Sequence, residues 1–187
     1  YGDYFLFNIG KESIIIVRDK DNEVHAHYNV CRHRGSHICL ENEGNSKVLI
    51  CPYHAWTYNL DGSLRGARLM DKDFNKNDWH LHKCNSKIFE GLIFINLSEH
   101  PNDFEEFIAP TKKFIEFHGL ADAKIAHRQY YPTDGNWKLT LDNFHECYHC
   151  QPSHPEYCQV HDKDYIIAYG AGSNTGPASE KFDNILT

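Results

Sequence analysis

The chain has 187 residues, 41% of them apolar and 24% charged, with a formal net charge of −7 at pH 7. Those values permit one ordinary domain, or two small ones, with a core large enough to fold without disulfide staples. They argue against a nucleic-acid binder, and no apolar run approaches the roughly 18 residues of a membrane-spanning helix.

The first half reads as short β-strands. Tyr1–Ile9 is aromatic-rich but holds Asp3 and no basic segment, so it is read as strand-like and not as a secretory signal. Ile14–Val17 is a β-branched run, and "DKDN" at 19–22 supplies the turn to a second strand. Val48–Ile50 is a further strand, and Asp61-Gly62 is a hairpin turn between two more. "KIFEGLIFINL" at 87–97 alternates enough to predict another strand. The period then changes, and the boundary falls near 98–104. "NDFEEFIAPTKKFIEF" has helical spacing, with Asn102 or Asp103 as N-cap and Pro110 as an interruption. A strand is predicted over 123–132 and a helix over 136–150, broken at Pro152 and Pro155. The tail "GAGSNTGPASEKFDNILT" reads as loop, and the chain as part of a longer one.

Seven cysteines lack ladder-like spacing and stand beside fourteen histidines. That usage points to a reducing cytoplasm, where clustered thiols and imidazoles bind metal or do redox work. Isolated histidines such as His118 and His127 read as surface or packing residues. The cluster that stands out is Cys31-x-His33, seventeen residues, then Cys51-x-x-His54. Gly35 and Pro52 are turn-formers, so two hairpin-like loops can each present one thiolate and one imidazole. Zinc fingers pair like ligands at wider internal spacing. Two mixed pairs suit a [2Fe–2S] cluster with both thiolates on one iron and both imidazoles on the other. A structural zinc knuckle is the alternative. Cys39, Cys84 and Cys158 lack paired spacing and read as buried free thiols.

"CRHRGSHIC" with "CPYHAWTY" closely resembles the Rieske motif of Rieske-type non-haem iron oxygenases. The resemblance implies Cys31 and Cys51 on one iron and His33 and His54 on the other. Neutral imidazole in place of thiolate raises the reduction potential from about −400 mV to about −150 to +300 mV. The implied fold is α+β: an all-β Rieske domain over 1–100, then over 101–187 the start of a helix-grip, START-like catalytic domain.

A second constellation lies in "NWKLTLDNFHECYHCQPSH" at 136–154. On a helix, Asp142, Glu146 and His149 fall on one face, and the proline break can swing His154 back towards them. Two histidines and a carboxylate with open positions suit ferrous iron and O₂. The run matches the same family's Asp/Glu-x2-His-x4-His pattern after "NWK". That match implies His149 and His154 as ligands of a mononuclear Fe(II). Glu146 takes the place of the acid that bridges this centre to a Rieske histidine, by analogy His54, of a neighbouring subunit. Asp142 is a lesser candidate for that role. A third carboxylate ligand is expected further along the chain. Tyr148, Phe144 and Tyr157 read as packing residues.

The resemblance further implies an oxygenase fed by an NAD(P)H-dependent reductase or ferredoxin, assembled as a homotrimer, hydroxylating a C–H bond. "ECYHCxxxHP" looks most like the branch acting on quaternary and methylated amines such as glycine betaine and carnitine, where hydroxylation leads to N-demethylation or C–N cleavage. The aromatic ring dioxygenases are the other large branch. A Rieske electron-transfer protein without oxygenase activity remains a third reading.

Overall fold

The computed structural model describes residues 1–145 and 149–160. Tyr1–Ala126 forms one compact unit, and the chain from His127 a second.

The first unit is built of antiparallel strands. β1 (Asp3–Ile9), β2 (Glu12–Arg18), β3 (Val24–Tyr28) and β4 (Glu43–Asn45) form a four-stranded sheet in the order β3-β2-β1-β4. β5 (Leu49–Ile50), β6 (Thr57–Tyr58) and β7 (Leu64–Gly66) form a second, smaller sheet. The Ile14–Val17 run is apolar without alternation because β2 is buried on both faces. Ile15 and Val17 enter one core with Leu49, Trp56, Tyr58 and Leu64; Ile14 and Ile16 enter another with Ala26 and Cys84. Each such side chain contributes about 1.5–3 kcal/mol by leaving water. The Asp61-Gly62 turn closes β6 to β7, with Gly62 at φ +87 and its amide bonded to the Asn59 carbonyl.

Two predicted strands differ. The stretch at 87–97 is a hairpin, β8 (Asn85–Phe89) and β9 (Leu92–Asn96), turning at Glu90 and Gly91, both at positive φ. Residues 123–132 carry no regular element and are exposed. A strand needs a hydrogen-bonding neighbour, and among the described residues none pairs with this segment. The helical stretch is α1 (Phe104–Ile108) and α2 (Lys112–Phe117), with Asp103 accepting the Glu106 amide as N-cap and Pro110 between them.

His27, on β3, is fully buried and donates from Nε2 to the Leu60 carbonyl at 2.8 Å, pinning the first sheet to the turn that follows β6. A Cβ on Gly62 would meet the His27 ring at 2.6 Å, so glycine is needed there twice over. Burial pushes the imidazole down to about 4, although the bond to Leu60 opposes the shift. The unfolded chain takes up this proton near pH 6.5 and the folded chain only near pH 4. Stability therefore falls as pH drops through that window, by about 3 kcal/mol between pH 7 and pH 4. Urea unfolding at both pH values checks this: the wild type loses that increment and a His27→Gln variant does not.

The second unit begins with α3 (Trp137–His145), followed by the one-turn helix α4 (Cys150–Ser153) and α5 (Pro155–Val160). The predicted break is present: His154 has φ −133 and ψ 60, and Pro155 opens the next helix.

Candidate metal centres

The two ligand loops are backbone duplicates. In the first, between β3 and β4, the Gly35 amide donates to the Cys31 carbonyl at 2.9 Å and the Cys31 amide to the Ser36 carbonyl at 2.8 Å. In the second, between β5 and β6, the Ala55 amide donates to the Cys51 carbonyl at 3.0 Å and the Cys51 amide to the Trp56 carbonyl at 2.8 Å. Gly35 and Ala55 occupy the same left-handed position, at φ 74 and φ 58. A non-glycine residue there costs about 1–2 kcal/mol. What differs is the histidine: two residues after the cysteine in the first loop, three in the second. The unequal spacing is one turn used with two side-chain placements.

These loops bring the four side chains together as two pairs. Cys31 and Cys51 are each 2% exposed, and their thiols interact. The His33 and His54 rings lie 4.6 Å apart, edge to face at 77°. His33 is half-buried against Trp56, whereas His54 is exposed beside Tyr53, ring centroids 3.8 Å apart. Burial raises the Cys31 thiol above its ordinary value; the Tyr58 hydroxyl, 3.3 Å from Sγ, and the His33 amide pull it back down. Nδ1 of His33 is buried with no hydrogen-bond partner.

This donor set fits a [2Fe–2S] cluster. Two adjacent buried thiols lose their protons only where a cation takes up the charge. A buried lone pair without a donor costs free energy unless an electrophile binds it. Among the described residues, no three His, Cys, Asp or Glu side chains gather as one ion would require. A tetrahedral zinc knuckle needs four donors around one point. A sulfur pair and a nitrogen pair, kept apart, suit two irons held differently.

In the second unit, His149 is the N-cap and His154 the C-cap of α4. An ideal helix would turn residues five apart well away from each other. The break instead brings their rings to 5.5 Å, nearly perpendicular at 81°. Neutral imidazoles so placed suit ferrous iron. Asp142 is exposed on α3. Glu146 and Tyr148 lie outside the described residues, as do all carboxylates beyond residue 160.

Residues 1–85 match the Rieske [2Fe-2S] domain family, and residues 120–176 match the catalytic domain of the ring-hydroxylating alpha subunit. The chain belongs to the Rieske oxygenase α subunits. This Rieske oxygenase chain is 40% identical over 156 residues to the glycine betaine monooxygenase oxygenase subunit of Pseudomonas aeruginosa, covering 83% of the chain and 36% of the relative. It is 39% identical over 199 residues to the carnitine monooxygenase oxygenase subunit of Acinetobacter baumannii, covering 99% of the chain and 53% of the relative. It therefore spans about half or less of the length of these relatives. The crystal structure of a quaternary ammonium Rieske monooxygenase in complex with L-carnitine superposes with a TM-score of 0.76 at 36% identity, covering 86% of this chain and 47% of that one. Naphthalene 1,2-dioxygenase from Rhodococcus, bound to indole, gives 0.70 at 33% identity, covering 84% and 38%.

The first loop of this Rieske oxygenase chain also depends on a residue that motif spacing does not reveal. Asn29 is fully buried, and its side chain closes the loop at its base. Oδ1 accepts the Ile38 and Cys39 amides, each at 2.9 Å, and Nδ2 donates to the Cys39 carbonyl at 2.8 Å. Asn29→Ala leaves those groups buried and unpaired, and is expected to cost at least about 2 kcal/mol in urea unfolding. Tyr58 and Trp56 were missed in the same way. Trp56 closes the second loop and Tyr58 follows it on β6, and each touches a ligand of the first loop, a contact that residue spacing does not show.

Proposed function

We propose that this chain belongs to the oxygenase component of a two-component Rieske monooxygenase that hydroxylates a C–H bond of a quaternary or methylated amine such as glycine betaine or carnitine. Cys31, Cys51, His33 and His54 hold the [2Fe–2S] cluster within a domain near 1–100. His149 and His154 hold the mononuclear iron in a catalytic domain over 101–187. The observation that carries the reading is the thiol pair beside the imidazole pair, on a chain that also sets two histidines 5.5 Å apart in its second unit. When bound, the cluster supplies one-electron transfer at a raised potential and the ferrous ion supplies O₂ activation.

The protein's own residues do the rest. Burial of Cys31 and Cys51 keeps water from the sulfurs. With Cys31 as a thiolate, the Tyr58 hydroxyl 3.3 Å away is the donor to Sγ and stabilises negative charge there. His54, exposed, is the imidazole that the Glu146 carboxylate of a neighbouring subunit would accept a hydrogen bond from, as it would from His149 on its own chain. That reading calls for a homotrimer, and for an NAD(P)H-dependent reductase or ferredoxin as electron donor. A cytoplasmic location fits the reduced thiols of Cys31, Cys39, Cys51, Cys84 and Cys158; among the described residues no helix is long and apolar enough to cross a membrane.

An aromatic substrate is the second reading. The chain is 34% identical over 163 residues to the large oxygenase component of salicylate 5-hydroxylase from Ralstonia. The test is substrate-dependent O₂ uptake with a reductase, screened over glycine betaine, carnitine and aromatic acids, together with iron and sulfide analysis. Uptake with a quaternary amine at roughly three iron and two sulfide per chain is expected. Uptake with aromatic acids alone moves the protein to the ring-hydroxylating branch, and zinc without sulfide overturns the reading.

A further inference from the structure

We infer that Trp56 is a positioning residue for the histidine-ligated half of the cluster: its indole sets the plane of the His33 imidazole and ties the two ligand loops together. This rests on the ligand assignment proposed above. The Trp56 carbonyl accepts the Cys51 amide, so its backbone is part of the second loop. Its side chain is 2% exposed and lies parallel to His33 of the first loop, ring centroids 4.9 Å apart and planes 11° from coincidence.

The indole is itself held. Phe74 meets it edge-on at 5.6 Å and 72°, and Trp79 at 5.5 Å and 81°. Those two rings stack on each other at 5.6 Å and 26°, and the Arg32 guanidinium lies 5.9 Å over Trp79. Trp56 cannot tilt without displacing both neighbours, and a close-packed interior gives them nowhere to go. A ligating histidine is commonly oriented by a hydrogen bond from the ring nitrogen that does not bind metal. At His33 the buried, unpartnered Nδ1 is the nitrogen left for iron, and the parallel indole fixes the plane in which that nitrogen points. His54 has no such support: it is exposed, and its ring neighbours are His33 and the exposed Tyr53. The indole thus acts on one of the two imidazoles and leaves the other to its surroundings.

The experiment compares holoprotein carrying Trp56→Leu, Trp56→Phe or Ile16→Ala, following loss of the visible cluster bands to excess EDTA alongside thermal unfolding. Ile16→Ala removes buried apolar volume from the other core, with Ile14, Ala26 and Cys84, and leaves the aromatic group intact. Trp56→Leu is expected to lose the cluster about tenfold faster or more, the scale on which residues supporting a metal ligand act. Trp56→Phe, which keeps a ring against the imidazole, restores retention, and Ile16→Ala lowers the melting temperature but keeps the cluster. Equal cluster loss in Trp56→Leu and Ile16→Ala, or wild-type retention in Trp56→Leu, overturns the inference. Should Trp56→Leu not fold, pulsed EPR of reduced Trp56→Met, which fills the site without a ring, decides. A shift in the ¹⁴N coupling of one imidazole with the other unchanged supports the role, and two unchanged couplings overturn it. A wild-type protein showing no coupled ¹⁴N at all is a different result: it removes the ligand assignment itself, and this inference with it.

Discussion

Replacing His149 by alanine is expected to abolish substrate-dependent O₂ uptake while leaving the visible and EPR spectra of the cluster unchanged. The reason is the placement of the two candidate centres. Cys31, His33, Cys51 and His54 sit in the compact unit Tyr1–Ala126, and His149 in the unit that begins at His127. His149 caps α4 at its start, and its ring lies 5.5 Å from that of His154 at the end of the same helix. Alanine removes one of the two imidazoles proposed to hold the ferrous ion. Iron analysis should fall by about one atom per chain with sulfide unchanged. Loss of the cluster bands in this variant would contradict two separate centres.

Cys51→Ala should do the reverse and more. The side chain is 2% exposed, belongs to the main core and interacts with the Cys31 thiol. Its backbone anchors the second loop through bonds to Ala55 and Trp56. Removing the sulfur takes away one of the two thiolates proposed for one iron, so the purified variant is expected to be colourless when oxidised and to lack the anisotropic EPR signal after dithionite. Because the folded chain binds the cluster and the unfolded chain does not, losing it also lowers stability. A melting temperature lower by at least about 10 °C is expected, equivalent to roughly 3 kcal/mol at this chain length. A coloured variant with wild-type melting would exclude Cys51 as a ligand.

The parts of this protein that could be read from sequence are those whose chemistry is carried by residue type. A thiolate or imidazole at a fixed offset announces itself, and so does the β-branched run of β2, buried on both faces. The β8–β9 hairpin was hidden because its turn is Glu90-Gly91. Glutamate at φ 47 is not a turn residue by preference, so the run read as one strand. Residues 123–132 carried strand-like composition, but a strand is made by its neighbour, and composition does not supply one. Asn29, Trp56 and Tyr58 escaped for a related reason. Asparagine, tryptophan and tyrosine have many uses, and theirs depends on contacts made across the fold to the Cys31–Cys39 loop.

The shared backbone of the two cysteine loops has one more implication. A turn copied without change would have presented both heterocycles alike. One extra step between Cys51 and His54 leaves His33 roofed by an indole and turns its counterpart outward. The first is fixed by packing, and the second is the one of the pair whose ring lies open to contact. A sheltered heterocycle and an exposed one thus go with a difference of a single spacer residue.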